Sequence, residues 1–309
     1  MKRAFLFPGQ GAQIVGMGKE IYEKYVEARN VYEKVKEITN LDIQKICFEG
    51  PEEELNKTQN TQIAVLTTSL AILEILKAHH VEADVAVGLS LGEYTALVYS
   101  GILTIEDGIK LVQKRGYYMA NLLPKEEYAM AAVIGLDSEK IENICNEISE
   151  NGKFIVPANY NCKIQTAISG EKLAIEEATE KLKLAGARKV IQLKTSGPFH
   201  TQKLEKAKNE YSKELENVHF NTGKINVIKN IDGNYYNKND DIREILASHI
   251  TNPVRFDKAI ELMKNEGIEE YIEVGPGRVL TGFIKKDIKD ANVYNINDLE
   301  SLEYYINKI

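Results

Sequence analysis

Ser90 stands between Gly88 and Gly92 in the stretch VAVGLSLGEYTAL, Val85 to Leu97. The apolar run Val85, Ala86, Val87 reads as a short buried strand, and helix formers recur at helical spacing from Glu93 onward. G-x-S-x-G at such a junction is the pattern of a nucleophile elbow. The serine takes strained backbone angles there, so that its hydroxyl stands clear at the end of a sheet. The flanking glycines fit because a Cβ two residues to either side would collide with the neighbouring strand or helix. Leu91 then offers a backbone N–H at a helix N-terminus, aimed where an oxyanion would form. The alternative is a strand-to-helix turn that happens to contain serine.

A nucleophilic serine needs a base, and the chain offers His79, His80, His200, His219 and His249. His79 and His80 end an amphipathic helix, where a cation favours the dipole, and read as structural. His219, between Val218 and Phe220, reads as a partly buried strand residue. His200 closes KTSGPFH, a Gly-Pro turn after a run of strands and helices, which places it at an expected cleft between two domains. A loop histidine with satisfied hydrogen bonds is the competing reading.

The elements that must position these residues alternate strand and helix. Arg3 to Phe7 reads as a first strand, Pro8 to Gly11 as the loop leaving it, and helical patterns cover Lys19 to Thr39, Gln62 to His79 and Thr104 to Leu122. That rhythm predicts an α/β fold with a mostly parallel, helix-covered sheet. From Ala129 it changes. Strands at Ala129 to Ile134, Phe154 to Asn159, Ile164 to Ser169 and Arg188 to Leu193 enclose helices at Ser138 to Ser149 and Lys172 to Leu184. Strand, helix, strand, strand, helix, strand is the ferredoxin-like unit. The expectation is therefore a large domain from residues 1–126 and 196–309, with a small domain inserted at 127–195.

Composition narrows the function classes. The 309 residues carry 43% hydrophobic and 28% charged side chains, ordinary for a globular chain long enough for one large core or a large and a small domain. A net charge of −7 argues against general nucleic-acid binding, which needs surplus Lys and Arg. No apolar run is expected to approach the roughly 20 residues that span a bilayer. The apolar stretch of MKRAFLFPGQG stops at Pro8, short of a signal-peptide core. Cys47, Cys145 and Cys162 lack metal-ligand spacing, which points to a reduced, cytoplasmic compartment. No coiled-coil pattern is visible, so a monomer is the expectation.

Six motifs occur in order: FPGQGAQ at Phe7 to Gln13, GLSLGEYTALVYSGIL at Gly88 to Leu103, KRG at Lys114 to Gly116, SGPFH at Ser196 to His200, NPV at Asn252 to Val254 and VGPGRVLTG at Val274 to Gly282. Together, over nearly the whole chain, they resemble the malonyl-CoA:acyl carrier protein transacylases and the acyltransferase domains of fatty-acid and polyketide synthases. The resemblance implies an α/β-hydrolase-like core with a ferredoxin-like insertion. It makes Ser90 the nucleophile and His200 the general base, with Gln10 and Leu91 supplying the N–H groups of an oxyanion hole. The arginine of the third motif, Arg115, comes 25 residues after the serine and would hold the malonyl carboxylate. A guanidinium's planar fork accepts both oxygens, and an acetyl group would leave its charge unpaired. Phe199 matches a position that selects malonyl over bulkier methylmalonyl. Read alone, G-Q-G suggests a nucleotide loop, but neither G-x-G-x-x-G nor G-x-x-x-x-G-K-[ST] is completed.

The implied reaction carries malonyl from malonyl-CoA onto Ser90 and then onto the phosphopantetheine thiol of acyl carrier protein, with no metal or resident cofactor and in the service of fatty-acid synthesis. Two positions depart from the family pattern. Leu89 replaces a usual histidine, which removes a polar contact near the pocket. His249 replaces a usual glutamine that accepts a hydrogen bond from the catalytic imidazole, and a neutral ring nitrogen of His249 could accept it instead. Docking of an acidic carrier would need a basic face, for which Lys181, Lys183, Arg188, Lys189, Lys194, Lys203, Lys206 and Lys208 are candidates. A polyketide-pathway acyltransferase, an acyl hydrolase and a non-enzymatic scaffold are the alternatives.

Overall fold

The computed structural model describes residues 1–124, 127–195 and 197–309. Lys125 and Glu126, at the expected domain boundary, and Ser196, which opens SGPFH, lie outside the described residues. Among the described residues the strands are β1 Arg3–Phe7, β2 Val85–Gly88, β3 Tyr128–Ile134, β4 Ile155–Cys162, β5 Gln165–Glu171, β6 Lys189–Gln192, β7 Asn226–Ile228, β8 Val254–Arg255, β9 Glu270–Val274 and β10 Asn292–Ile296.

Five of them form a parallel sheet in the order β10, β9, β1, β2, β7. Its two-residue side-chain period sends alternate residues to two different cores. Phe5, Phe7, Ala86, Ile272 and Val274 face one core, while Ala4, Leu6, Val85, Val87 and Tyr271 face the other. A parallel sheet buried on both faces needs apolar strands, which is why the short runs around β1 and β2 are continuous.

The other five strands form a second sheet in the order β6, β3, β5, β4, β8. The pairs β3–β5, β3–β6 and β4–β5 are antiparallel, and the helices Ser138–Glu150 and Lys172–Leu184 enclose a separate core around Val133, Ile141, Ile168 and Leu182. The expected element order from 128 to 192 is present. One strand crosses the expected boundary: β8 comes from the C-terminal segment, yet pairs parallel with β4, so the second sheet is completed from outside residues 127–195.

The helices differ from expectation in two places. The pattern over 19–39 is two helices, Lys19–Lys24 and Val26–Thr39, parted by extended backbone at Tyr25. The helix expected at 62–79 is Thr58–Ala78, starting a turn earlier because Thr58, Asn60, Thr61 and Gln62 are buried along with the apolar residues that follow. Contrary to the expectation of no such run, this 21-residue helix is long and apolar enough to cross a membrane by length and composition. Its apolar window is 83% buried against the rest of the chain, so its apolar length is used for packing.

The elbow depends on how closely the helix Gly92–Ser100 approaches β1. A Cβ on Gly92 would lie 2.1 Å from the Phe7 carbonyl oxygen, inside van der Waals contact with rigid backbone. Gly92→Ala is therefore expected to destabilise the fold by about 1–3 kcal/mol through overpacking. The check is the urea midpoint of the variant against wild type, and an unchanged midpoint contradicts the close approach.

Candidate active site

β2 ends at Gly88, and the chain turns through Leu89, Ser90 and Leu91 into the next helix. Ser90 has φ 55°, a left-handed conformation that costs a non-glycine residue roughly 1–3 kcal/mol unless its surroundings hold it. Asn230, just beyond the neighbouring strand β7, does so. Ser90 N–H donates to Asn230 Oδ1 at 2.7 Å, and Asn230 Nδ2 donates to the Gly88 carbonyl at 2.7 Å.

Ser90 Oγ lies 2.8 Å from His200 Nε2 and 3.0 Å from Arg115 Nη2. His200 also has a positive φ, 59°, in the turn that aims its ring at the serine. Its Nδ1 lies 2.9 Å from the backbone carbonyl oxygen of His249. A carbonyl can only accept, so Nδ1 carries the proton and the Nε2 lone pair faces the serine hydroxyl. Burial first, and the Arg115 charge second, push His200 down to about 3, so the imidazole is neutral and free to take the Ser90 proton.

The expectation for His249 is corrected in its atoms. The group that meets His200 is the main-chain carbonyl, 2.9 Å from Nδ1, while neither ring nitrogen of His249 has a hydrogen-bond partner among the described residues. The buried His249 ring instead places Nδ1 3.1 Å from Glu93 Oε2, off the direction of a regular hydrogen bond. His219 is corrected as well, since it is exposed and outside any strand. His79 and His80 are exposed at the end of the Thr58–Ala78 helix.

Arg115, from the helix Ile105–Asn121, is fully buried. Its Nη1 donates to Gln62 Oε1 at 2.7 Å and its Nη2 to Ser90, while Nε is unpartnered. Among the described residues no carboxylate pairs with it. The face of Tyr94 lies 5.7 Å from the guanidinium carbon, a cation–π contact that steadies the charge without neutralising it.

A cavity of about 240 Å³ opens onto Ser90 and His200. Gln10, Leu89 and Phe199 all line it, and Leu89, Phe199, Met119, Met130, Leu193 and Phe283 make most of the wall apolar. Leu91 is buried at the start of the elbow helix. The loop carrying Gln10 runs close to the elbow, since a Cβ on Gly9 would lie 2.4 Å from the Leu89 carbonyl oxygen. Among the described residues the backbone N–H groups of Gln10 and Leu91 make no turn or loop hydrogen bond to a backbone carbonyl.

Sequence reasoning missed Gln62, Glu93, Asn159, Asn161, Asn230 and Gln165. A signal existed for Gln62, a polar residue opening the run IAVL, and for Asn159 and Asn161, two apart on one strand and both lining the cavity. Asn230 gave none, because its partner lies 140 residues away.

Comparisons with known proteins cover nearly the whole chain. Residues 4–305 match the acyl transferase domain family. A malonyl CoA-acyl carrier protein transacylase of Bacillus subtilis (strain 168) is 38% identical over 305 residues, 99% of this chain and 96% of that protein. The crystal structure of such a transacylase from Clostridium perfringens superposes with a TM-score of 0.95 at 41% identity, covering 100% of this chain and 97% of that one. A malonyl-transacylase solved in complex with its holo type II PKS acyl-carrier protein has a TM-score of 0.95 at 33% identity, with both chains fully covered.

The low proton affinity of His200 has a sign that stability measurements can read. The unfolded chain takes up this proton near pH 6.5 and the folded chain only near 3, so the histidine's contribution is complete above about 6.5 and is lost as pH falls toward 3. Burial pushes Glu93 up to about 7, which acts oppositely, its contribution being lost as pH rises through that value. Comparing His200→Asn with wild type at each pH isolates the histidine. The variant should have the shallower acid limb, by up to about 1.4 kcal/mol per pH unit between 6.5 and 3 in urea titrations. Parallel limbs contradict a buried neutral His200.

Proposed function

The chain belongs to the acyl transferase domain family, and from that premise we propose that it transfers a malonyl group from malonyl-CoA to the phosphopantetheine thiol of acyl carrier protein, supplying fatty-acid synthesis. The observation that carries this reading is Arg115, a buried guanidinium without a carboxylate partner among the described residues, 3.0 Å from the hydroxyl that would become acylated. A malonyl unit on Ser90 places its free carboxylate about where that charge waits. An acid brought into a water-poor pocket loses several kcal/mol of solvation unless it is paired, and Arg pairs it through two parallel hydrogen bonds.

In the first step His200 Nε2 takes the Ser90 proton as Oγ attacks the thioester carbon. The tetrahedral oxyanion is held by the N–H groups of Gln10 and Leu91. CoA then leaves as a thiol with the proton returned by His200. In the second step the carrier's thiol attacks malonyl-Ser90 by the same route. His200 Nδ1–H stays on the His249 carbonyl throughout, which fixes the tautomer and shares the imidazolium charge. A malonyl carboxylate on Arg115 also cancels one of the two influences that hold His200 acidic, so substrate binding strengthens the base. Phe199 and Leu89 limit the acyl group at the cavity wall. This chemistry requires no metal or resident cofactor.

The same reading takes the large unit, 1–126 with 196–309, as α/β-hydrolase-like and 127–195 as a ferredoxin-like insertion. The sheet order β6, β3, β5, β4, with the insertion's fourth, first, third and second strands side by side, supports the second assignment. Cys47, Cys145 and Cys162 are free and buried, which fits a cytoplasmic location. Of the candidate basic residues, Lys181, Lys183, Lys194 and Lys208 lie within ion-pair distance of glutamates. Arg188, Lys189 and Lys206 are exposed and better suited to an acidic carrier.

Intact-mass measurement after brief exposure to malonyl-CoA tests the reading. Wild type should gain one malonyl group and Ser90→Ala none. Rapid CoA release without an adduct on wild type would make the protein a hydrolase and overturn the transfer.

A further inference from the structure

Behind His200, on the side away from the cavity, lie two buried polar side chains that the transfer reaction above does not use. Glu93 sits three residues after the nucleophile, and His249 supplies the carbonyl that holds the imidazole. Each side chain is 1% exposed. Glu93 Oε1 is fully engaged, accepting from the Tyr236 hydroxyl at 2.7 Å and the Asn230 amide at 3.2 Å. Glu93 Oε2 and His249 Nδ1 lie 3.1 Å apart, and neither these two atoms nor His249 Nε2 has a regular hydrogen-bond partner among the described residues. Polar atoms shut away from water are rarely left unpaired, and the 3.1 Å separation puts Glu93 Oε2 and His249 Nδ1 within hydrogen-bond reach of each other.

The surrounding charges decide how the pair is protonated. The titratable and charged groups facing it are Arg115, His200, Tyr94, Tyr236 and Asp232. A proton on His249 would put a third cationic site beside Arg115 and a ring that becomes cationic in each half-reaction. A proton on Glu93 leaves both partners neutral. Burial acts in the same direction, raising Glu93 and lowering His249.

We propose that Glu93 is a protonated carboxylic acid whose O–H donates to His249 Nδ1, and that this neutral pair is a positioning device for His200. Through Asn230 the same carboxyl reaches the backbone of Ser90 and Gly88, so one side chain ties the nucleophile's turn to the carbonyl that orients the base. No charge is added beside His200 in doing so. The inference rests on the proposed roles of Ser90 and His200.

Histidine-selective 15N labelling of the full chain, read by long-range proton–nitrogen correlation at pH 6, tests the pair directly. His249 should appear as a neutral ring protonated on Nε2 with Nδ1 accepting, and His200 as the opposite tautomer. Assignment comes from His249→Gln and His200→Asn. A doubly protonated His249 overturns the proposal. Kinetics give a second readout, as the rate of malonyl-Ser90 formation. Glu93→Ala should slow it by about tenfold or more through misplacement of the base, and Glu93→Gln, whose amide can donate to Nδ1, should restore most of that loss. Wild type should show a rate change near pH 7 that is absent in Glu93→Gln. Equal losses in the Ala and Gln variants with the pH profile unchanged would mark Glu93 as merely structural and overturn the proposal. If wild type forms no malonyl-serine at all, the transferase reading fails, while the NMR result still decides the state of the pair.

Discussion

The site is organised around a positive charge that the fold buries and does not neutralise. Arg115 is held by Gln62 from the long core helix, by the face of Tyr94 and by the nucleophile itself, none of which carries a full negative charge. A buried ion with no counter-ion is costly, and a chain that keeps one gains by it only when something else supplies the opposite charge. That constraint reaches the neighbouring groups. It adds to burial, the larger cause, in keeping His200 neutral and in disfavouring a proton on His249. On the proposed function the same guanidinium would meet the substrate's carboxylate and, together with burial, set the strength of the base.

The second constraint is steric. Ser90 can hold its strained turn at the cavity only because the helix after it packs backbone to backbone against β1, and because Asn230 grips the turn from just beyond the adjacent strand. The loop after β1 is drawn in by the same close packing, which brings the Gln10 amide beside the elbow. Met130 and Asn159 of the second sheet, with Leu193 just past its edge strand, close the far wall, so the cavity belongs to both sheets. Pairing of β8 with β4 fixes the two sheets to one another close to this wall.

Much of this was legible in the sequence because it is local. G-x-S-x-G declares a turn that only small flanks permit, strands of the parallel sheet show as short continuous apolar runs, and the change of strand and helix order after residue 128 marks the second sheet. Ser90, His200 and Arg115 were found from motifs, and the structure places them within 3.0 Å of a common hydroxyl. The failures are of contacts made across the chain. His249 contributes its main chain, which residue type does not encode, and so a ring contact was expected where a carbonyl acts. Asn230 and Glu93 act on partners brought together by topology alone. The buried helix Thr58–Ala78 was underestimated because its first turn is polar in composition yet packed inside. His219 was read as strand from its apolar neighbours, although only Val218 of the three is buried.

The central claim is that the Arg115 charge exists to meet a substrate carboxylate. The direct measurement is the ratio of Ser90 acylation rates with malonyl-CoA and with acetyl-CoA, in wild type and in Arg115→Leu, which removes the charge and keeps an apolar side chain. Wild type should favour malonyl. Loss of the buried charge pair should lower the malonyl rate by about 10²–10³-fold, in line with the 2–5 kcal/mol lost when one partner of such a pair is removed, while the acetyl rate holds or rises. A ratio that stays the same in the variant, with both rates falling together, would mean that Arg115 serves the serine and not the carboxylate.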